Sequence, residues 1–169
     1  MQPQAIQLRP MREQELAAVL AVQAACYPPP MQEPGAVVLE RLRAAPATTL
    51  VAFDADGVCA YVFAYPSRLG RITALHGGFA PAPDADTLYI HDLAVHPRAH
   101  GRGLGRRLAA ALCDEARRRG LRHGALVAVL DARPFWEGLG FAAAEAGEGG
   151  DVLASYPGTA VYMSCLINA

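Results

Sequence analysis

Residues 88–108 read LYIHDLAVHPRAHGRGLGRRL. The secondary structure predicted for this stretch indicates the fold of the chain. It begins with a β-rich apolar run, passes through glycines at 101, 103 and 105, and ends in a helical pattern. Glycines at this spacing let successive backbone N–H groups converge at a helix start, where free amides and the helix dipole favour an anion. The stretch therefore predicts a strand, a phosphate-binding turn and a helix.

Two common nucleotide-binding motifs do not fit this turn. A P-loop requires GxxxxGK[ST], whereas Gly105 is followed by two arginines. A dinucleotide-binding fingerprint requires GxGxxG, whereas Arg106 stands at the third glycine position. The turn therefore predicts a phosphate ligand that neither motif identifies.

The rest of the chain predicts one α+β domain that spans residues 1–169. Strands are expected at 6–9, 48–53, 58–64, 87–95, 123–130, from 141 and at 160–167, and helices at 12–25, 36–44, 103–119 and 134–139. The DADG sequence at 54–57 predicts a hairpin turn. Residues 66–86 lack periodicity and contain several glycines and prolines, so they are predicted to form a loop on the substrate side.

Composition argues against several classes of protein. No apolar run approaches the roughly 18 residues of a membrane span, and the N-terminus lacks a secretory signal pattern. A cytoplasmic protein with no membrane partner is therefore expected. The four cysteines form no CxxC pair and no zinc-type cluster with histidine, which predicts reduced thiols and no metal site.

Charge raises nucleic-acid binding as an alternative function. All 15 basic side chains are arginines, and eight of them lie between Arg98 and Arg122. The same segment carries Asp114 and Glu115, RNP-type aromatics are absent, and the net charge of the chain is -1. No nucleic-acid partner is therefore expected, and the segment is interpreted as a solvated helix end that attracts phosphate.

The quoted stretch resembles the GNAT superfamily of N-acetyltransferases. That family's motif is [Q/R]xxGx[G/A] after a strand and a proline, and residues 100–105 read HGRGLG. Residues 135–141, FWEGLGF, resemble the second signature of the family, an aromatic pair and a short helix that ends in Gly-Phe. Two motifs in this order and at this separation indicate the family, whereas the glycine turn alone would be a weak signal.

The resemblance implies a mixed, mostly antiparallel central sheet, splayed at two parallel strands (89–95 and 123–130) and flanked by helices. Acetyl-CoA is the implied co-substrate, and its pantetheine arm would enter the gap. Leu93, Ala94 and Val95 would present backbone groups to pantetheine, and the Leu93 N–H would polarise the thioester carbonyl. Further implied coenzyme contacts are His100, Gly101, Arg102, Gly103, Leu104, Gly105, Arg106, Asp131, Phe135 and Trp136. His100 departs from the usual glutamine or arginine.

The implied reaction is direct acetyl transfer to a primary amine. Because an alkylammonium must first lose a proton, a general base is useful, and His91 is the candidate since imidazole titrates near neutrality. The strand around His91 also resembles that of serotonin N-acetyltransferases, where a histidine acts through water. Strand alternation predicts that Tyr89 shares the face of His91 and that Asp92 points to the opposite face. Asp92 could bind or orient the amine or be a capped or salt-bridged polar group, and His91 as a structural or solvent-facing histidine remains an alternative.

The proton donor to the departing thiolate is open. Many relatives carry a tyrosine at the second position of the aromatic pair, where this chain has Trp136, and an indole N–H is not an effective acid. Tyr162, Tyr156, Cys165 or solvent could supply the proton. The departure also keeps a non-catalytic acetyl-CoA-binding module as an alternative function.

The acceptor cannot be identified from the sequence. Segments 28–35, 66–86 and 147–158 are expected to line its pocket, where Tyr27 or Phe79 could pack an apolar amine. Carboxylates that could attract a cationic amine are Glu33, Asp84, Asp86, Glu148 and Asp151. A small-molecule amine is favoured as the partner, and a protein N-terminus is the alternative. A strand near the C-terminus could pair with a second copy, which leaves a homodimer open.

Overall fold

A computed structural model describes residues 5–168, apart from the side chain of Glu148. Within that range, one sheet contains β1 (Gln7–Pro10), β2 (Thr49–Asp54), β3 (Gly57–Ser67), β4 (Thr87–Val95), β5 (His123–Ala128), β6 (Ala142–Ala143) and β7 (Val161–Leu166). The α-helices are α1 (Leu16–Cys26), α2 (Gly35–Ala44), α3 (Leu104–Arg118), α4 (Arg133–Glu137) and α5 (Gly150–Ala154). No helix in this range is long and apolar enough to cross a membrane.

The sheet is mixed and mostly antiparallel, as predicted. Its strand order is β1-β2-β3-β4-β5-β7-β6, and β4 and β5 are the parallel pair. Their pairing runs from Thr87 opposite His123 to Ile90 opposite Leu126, although β4 continues to Val95. The two strands therefore separate beyond Ile90, and the expected splay is present.

Several predicted boundaries differ from the structure. β3 extends to Ser67 because it keeps pairing with β4 as far as Thr87. β5 ends at Ala128, and Leu130 has a left-handed φ of 54°, which no extended strand accommodates. The segment 147–158, expected only as a pocket wall, contains the short helix α5.

A β-bulge in β4 determines which side chains share a face. Phe63 pairs with Asp92 and Ala64 pairs with Ile90, so His91 is an extra residue between them. As a result, His91 and Asp92 line the same cavity. The prediction that Asp92 points to the opposite face was wrong, because it assumed uninterrupted alternation along the strand.

The two faces of the sheet carry separate hydrophobic clusters. α3 covers one face through Leu104, Leu108 and Leu112, which are buried with Ile90 and Leu126. α1 and α2 belong to the cluster on the other face, where their buried residues pack with Tyr61, Phe63 and Tyr89. The gap between β4 and β5 thus lies between two packed layers, which position the side chains around it.

Candidate active site

The N-terminus of α3 borders a cleft of about 350 Å³, here called the α3 cleft. Gly103 precedes the helix with a left-handed φ of 71°, a conformation that glycine adopts without steric cost. A Cβ built at Gly101 or Gly103 would meet no atom within 4 Å, so these backbone segments are open to a ligand. Free amides at a helix start beside an open cleft suit a phosphate group.

Most residues expected to contact the coenzyme line the α3 cleft. The lining comprises Leu93, Val95, Ala99, His100, Gly101, Gly103, Leu104, Gly105, Arg106 and Phe135. His100 Nε2 lies 3.0 Å from the Val95 carbonyl oxygen. Since a carbonyl oxygen can only accept, Nε2 is the donor. A Cβ at Gly105 would lie 2.9 Å from the Phe135 ring, so glycine at this position lets the two signature segments meet.

Two of the expected coenzyme residues direct their side chains elsewhere. Arg102 lies 3.0 Å from the Asp54 carboxylate, which also holds Arg98 at 3.0 Å. Ala94 is buried in the cluster on the opposite face of the sheet. Asp131 is exposed and does not belong to the described lining of the cleft, and its contact with the coenzyme stays a prediction.

A narrower cavity of about 50 Å³, here called the splay cavity, lies where β4 and β5 separate. Leu93 belongs to both the splay cavity and the α3 cleft, which places the two side by side. Trp136 forms part of the wall and packs edge-on against Phe135 and Phe141, with centroid distances of 4.9 and 5.3 Å. The indole thus has a packing role at the gap.

A third cavity of about 30 Å³, here called the inner cavity, adjoins the splay cavity. The residues that line both are Tyr27, His91, Asp92, Val127 and Val129. The other lining residues are Met31, Glu33, Leu75 and Tyr156, which come from the three segments expected around the acceptor. The Tyr156 hydroxyl donates to the Thr73 carbonyl at 2.6 Å and joins two of those segments.

Glu33 is the centre of a buried charge network. Its Oε1 lies 2.9 Å from His91 Nε2 and 2.8 Å from the Arg41 guanidinium, and its side chain is 3% exposed. Burial raises the pKa of Glu33, but hydrogen bonds from His91 and Arg41 and the charge of Arg41 outweigh burial and lower it to about 2. Glu33 is therefore ionised at neutral pH.

The ionised carboxylate fixes the tautomer of His91. Since Glu33 Oε1 can only accept, Nε2 of His91 carries the hydrogen. Burial lowers the pKa of His91, and the charge of Arg41 lowers it further, although Glu33 acts in the opposite direction. The imidazole is thus neutral at pH 7, and its buried Nδ1 has a free lone pair with no hydrogen-bond partner among residues 5–168. The residue that carries this unpaired nitrogen lines the inner cavity.

The Glu33 backbone is also held in place. Gln23 on α1 accepts from the Glu33 N–H at 2.9 Å and donates to its carbonyl at 3.0 Å. Arg41 on α2 donates through Nε to the Gly77 carbonyl at 2.8 Å. Sequence reasoning identified neither Gln23 nor Arg41 as a site residue. The one available signal was a glutamine within the otherwise apolar run of α1.

Asp92 is held by two phenols. The Tyr27 hydroxyl donates to Oδ1 at 2.6 Å, and the Tyr61 hydroxyl donates to Oδ2 at 2.7 Å. Burial raises the pKa of Asp92, although both phenol hydrogen bonds counteract it. Tyr27, predicted only as an apolar wall, therefore has a polar contact at the site, and Tyr61 was not predicted at all.

The remaining candidates lie at varied distances from these cavities. Tyr89 shares the face of His91, with ring centroids 6.4 Å apart, as alternation predicted. Tyr162 accepts from the Gly70 N–H at 2.9 Å, and Cys165 pairs with Gly124 on β5. Neither belongs to the described cavity linings, whereas Tyr156 does.

The acidic candidates separate in the same way. Glu33 lines the inner cavity, whereas Asp84 pairs with Arg68 and Asp86 binds the Leu69 N–H. Asp151 is exposed on α5. The Glu148 side chain lies outside the described part of the structure. Phe79 stacks on Tyr65 with a centroid distance of 4.3 Å and lies edge-on to His91.

Several solved structures have the same fold as this chain. Ard1 from Thermoplasma volcanium has a TM-score of 0.75 at 17% identity, covering 98% of this chain and 99% of that one. The ribosomal-protein-S18-alanine N-acetyltransferase from Escherichia coli has a TM-score of 0.69 at 17% identity, covering 98% and 96%. The GNAT-like decarboxylase GphF, in complex with isobutyryl-CoA, has a TM-score of 0.77 at 18% identity, covering 96% and 100%. At these identities the likeness establishes the fold.

Sequence comparison gives the family. No curated protein sequence matches the chain. The family model described as acetyltransferase (GNAT) family matches residues 16–141, from the start of α1 through both signature segments. This match spans most of the chain and agrees with the splayed sheet and the α3 cleft, so the chain belongs to the GNAT family of acetyltransferases.

Proposed function

We propose that the protein transfers the acetyl group of acetyl-CoA directly to the primary amine of a small molecule. The observation that supports this most strongly is the sequence of adjoining cavities from the α3 cleft to the free Nδ1 of His91. A diphosphate site, a gap between strands and a neutral base follow one another in the order that acetyl transfer from a coenzyme requires.

The coenzyme is held mainly by backbone groups in this proposal. Amides of residues 101–106 bind the diphosphate at the start of α3, and Arg106 adds charge at the cleft. The strand edge from Leu93 to Val95 binds the pantetheine arm. The Leu93 N–H polarises the thioester carbonyl and stabilises the negative charge that develops on its oxygen.

His91 is the general base in this proposal. Its Nδ1 accepts the proton that the amine loses as nitrogen attacks the thioester carbonyl carbon. Glu33 holds the ring with Nε2 protonated and stabilises the imidazolium that forms. Arg41 keeps Glu33 ionised, so that the carboxylate itself does not take the proton.

The form of the inner cavity favours a small amine over a protein N-terminus. Its volume of about 30 Å³ is comparable to the share of one water molecule in the liquid. Two carboxylates, Glu33 and Asp92, border it, and Arg41 is the cation that pairs with Glu33. Such a site attracts a compact ammonium group, whereas a polypeptide would need the three wall segments to separate.

The experiment is a release assay for the CoA thiol, with acetyl-CoA and a panel of small amines, amino acids and peptides with free N-termini. We expect turnover with small primary amines and none with peptides. Preference for a peptide would support the N-terminal acetyltransferase alternative. Calorimetric binding of CoA without turnover on any amine would support a non-catalytic module, and absence of CoA binding would contradict the whole proposal.

A further inference from the structure

Tyr27 occupies the junction of two cavities. It follows α1 directly, and the Gln32 side chain donates to its carbonyl at 2.9 Å. Tyr27 lines both the splay cavity and the inner cavity. No step of the proposed reaction uses it so far.

The Tyr27 hydroxyl has two acceptors for one hydrogen. Its oxygen lies 2.6 Å from Asp92 Oδ1 and 3.3 Å from the Leu93 carbonyl. When Asp92 is ionised, the phenol donates to the carboxylate. When Asp92 is protonated, the carboxyl donates to the phenol oxygen, and the phenol hydrogen turns toward the strand edge at Leu93, which lines the splay cavity. The pair can therefore pass a proton toward that cavity.

We propose that Tyr27 is the acid that protonates the departing CoA thiolate, and that Asp92 replaces the proton that Tyr27 gives up. The inference rests on the proposed acetyl transfer. The N–C bond forms as the C–S bond breaks, the amine proton goes to His91 Nδ1, and the Tyr27 hydroxyl proton goes to sulfur. The imidazolium of the adjacent His91 gives its proton to the ionised Asp92 carboxylate, and Asp92 passes that proton to the Tyr27 phenolate. The site ends in its starting state.

Other donors at the site are less well placed. Trp136 carries an indole, which is not an effective acid, and it packs between Phe135 and Phe141. Tyr156 donates to the Thr73 carbonyl at 2.6 Å, on the loop side of the inner cavity, and does not belong to the lining described for the splay cavity. Tyr27 combines an ionisable hydroxyl with a position on both cavities.

Tyr61 provides a matched control. It donates to the other oxygen of the same carboxylate at 2.7 Å, but it does not belong to the described lining of the splay or inner cavity. Tyr27→Phe and Tyr61→Phe each remove one hydroxyl from Asp92. We expect Tyr27→Phe to lower kcat with acetyl-CoA about 100-fold at unchanged KM, and Tyr61→Phe to lower it less than about threefold.

The leaving group distinguishes acid catalysis from a structural effect. An acetyl thioester of a fluorinated CoA analogue releases a more acidic thiol, which departs without a proton donor. With this donor the Tyr27→Phe deficit is expected to shrink to about threefold. A binding measurement accompanies it: the ultraviolet absorbance of the thiolate of bound CoA should appear at higher pH in Tyr27→Phe than in the parent or Tyr61→Phe, because the phenol hydrogen bond stabilises the thiolate.

An equal deficit of Tyr27→Phe on both thioesters, or equal deficits in the two variants, would overturn the inference. If Tyr27→Phe does not fold, Asp92→Asn tests the same relay, since it cannot replace the proton, and it should show the same dependence on the leaving group. A parent protein without any acetyl transfer would contradict the proposed function as well. An active parent with an unimpaired Tyr27→Phe contradicts this inference alone.

Discussion

The α3 cleft and the inner cavity are built in opposite ways. The α3 cleft is open, about 350 Å³, and borders backbone amides from one short turn. The inner cavity is about 30 Å³, and side chains from segments far apart in the chain form its walls. One half of the candidate site therefore depends on local backbone geometry, whereas the other half depends on a network of buried charges.

Loss of the candidate base at the inner cavity should reduce kcat more than any other change. His91→Ala should lower kcat about 1000-fold at unchanged KM for acetyl-CoA, because the variant lacks the proton acceptor. Since burial lowers the pKa of His91, the parent should keep its base at pH 6.5, where an ordinary histidine is half protonated. The deficit should therefore be larger near pH 6.5 than at alkaline pH, where the acceptor amine loses its proton unaided, and a pH–rate profile measures this.

His76→Asn is the matched control for that variant. His76 lies 3.4 Å from the other oxygen of Glu33, but it is 43% exposed and has a left-handed φ of 65°, which asparagine tolerates. It should retain activity within about threefold. If the pH–rate profiles of His91→Ala and the parent run parallel, His91 is not the general base.

The next effect is on stability. Arg41→Met leaves the Glu33 carboxylate buried without its guanidinium partner and should lower the free energy of unfolding by about 3 kcal/mol at pH 7. The equivalent change Arg43→Met, on the same helix but in an exposed pair with Glu13, should cause a much smaller loss. Urea denaturation of both variants measures the difference, and equal losses would contradict a buried charge network.

The pH dependence of stability sharpens this prediction. The pKa of Glu33 is lowered from 4.5 to about 2, so its contribution is present above pH 4.5 and is lost as the pH falls toward 2. That contribution is about 3 kcal/mol in the parent. Arg41→Met should show a smaller loss over this pH range, because its Glu33 pKa is closer to the ordinary value.

The α3 cleft should respond to a single methyl group. Gly105→Ala places a Cβ 2.9 Å from the Phe135 ring, which costs about 2 kcal/mol of packing or displaces the ring into the cleft. CoA affinity measured by calorimetry should fall about 10-fold, whereas kcat at saturating acetyl-CoA should change little. Adding Phe135→Leu should restore part of the affinity. If Gly105→Ala binds CoA with unchanged affinity, the α3 cleft is not the CoA-binding site.

The smallest effect concerns the support of the cleft. Asp54→Asn releases Arg98 and Arg102, which fasten the turn between β2 and β3 to the segment before α3. These guanidiniums are about one third exposed, so CoA affinity should fall by no more than about threefold, and the loss should disappear at high salt. Asp56→Asn, whose carboxylate is 86% exposed, is the control. Higher affinity after Asp54→Asn would show instead that freed Arg102 binds phosphate.

The same contrast explains what the sequence could predict. The α3 cleft was predictable because its turn is contiguous, and Gly101, Gly103 and Gly105 identify it without tertiary information. The splay followed from the family resemblance. The segments around the inner cavity were predicted, but its buried polar network was not, since Gln23, Arg41 and Tyr61 reach Glu33 and Asp92 only through the packing of α1 and α2 on the sheet.

The side of the sheet on which Asp92 lies could not be predicted for a different reason. Alternation alone put Asp92 opposite His91, and a bulge has no reliable signal in a single sequence. Only the pairing of β3 with β4 reveals that one residue is extra.

The extra residue in the bulge, His91, is the candidate base, whereas the pairing of β3 with β4 does not depend on it. Phe63 and Ala64 are consecutive on β3, yet their partners Asp92 and Ile90 are interrupted by His91 alone. Deletion of His91 would therefore leave a regular ladder, in which Asp92, Leu93 and Val95 keep their present faces. A lineage could gain or lose the candidate base by inserting or deleting one codon, with the α3 cleft and the sheet unaltered.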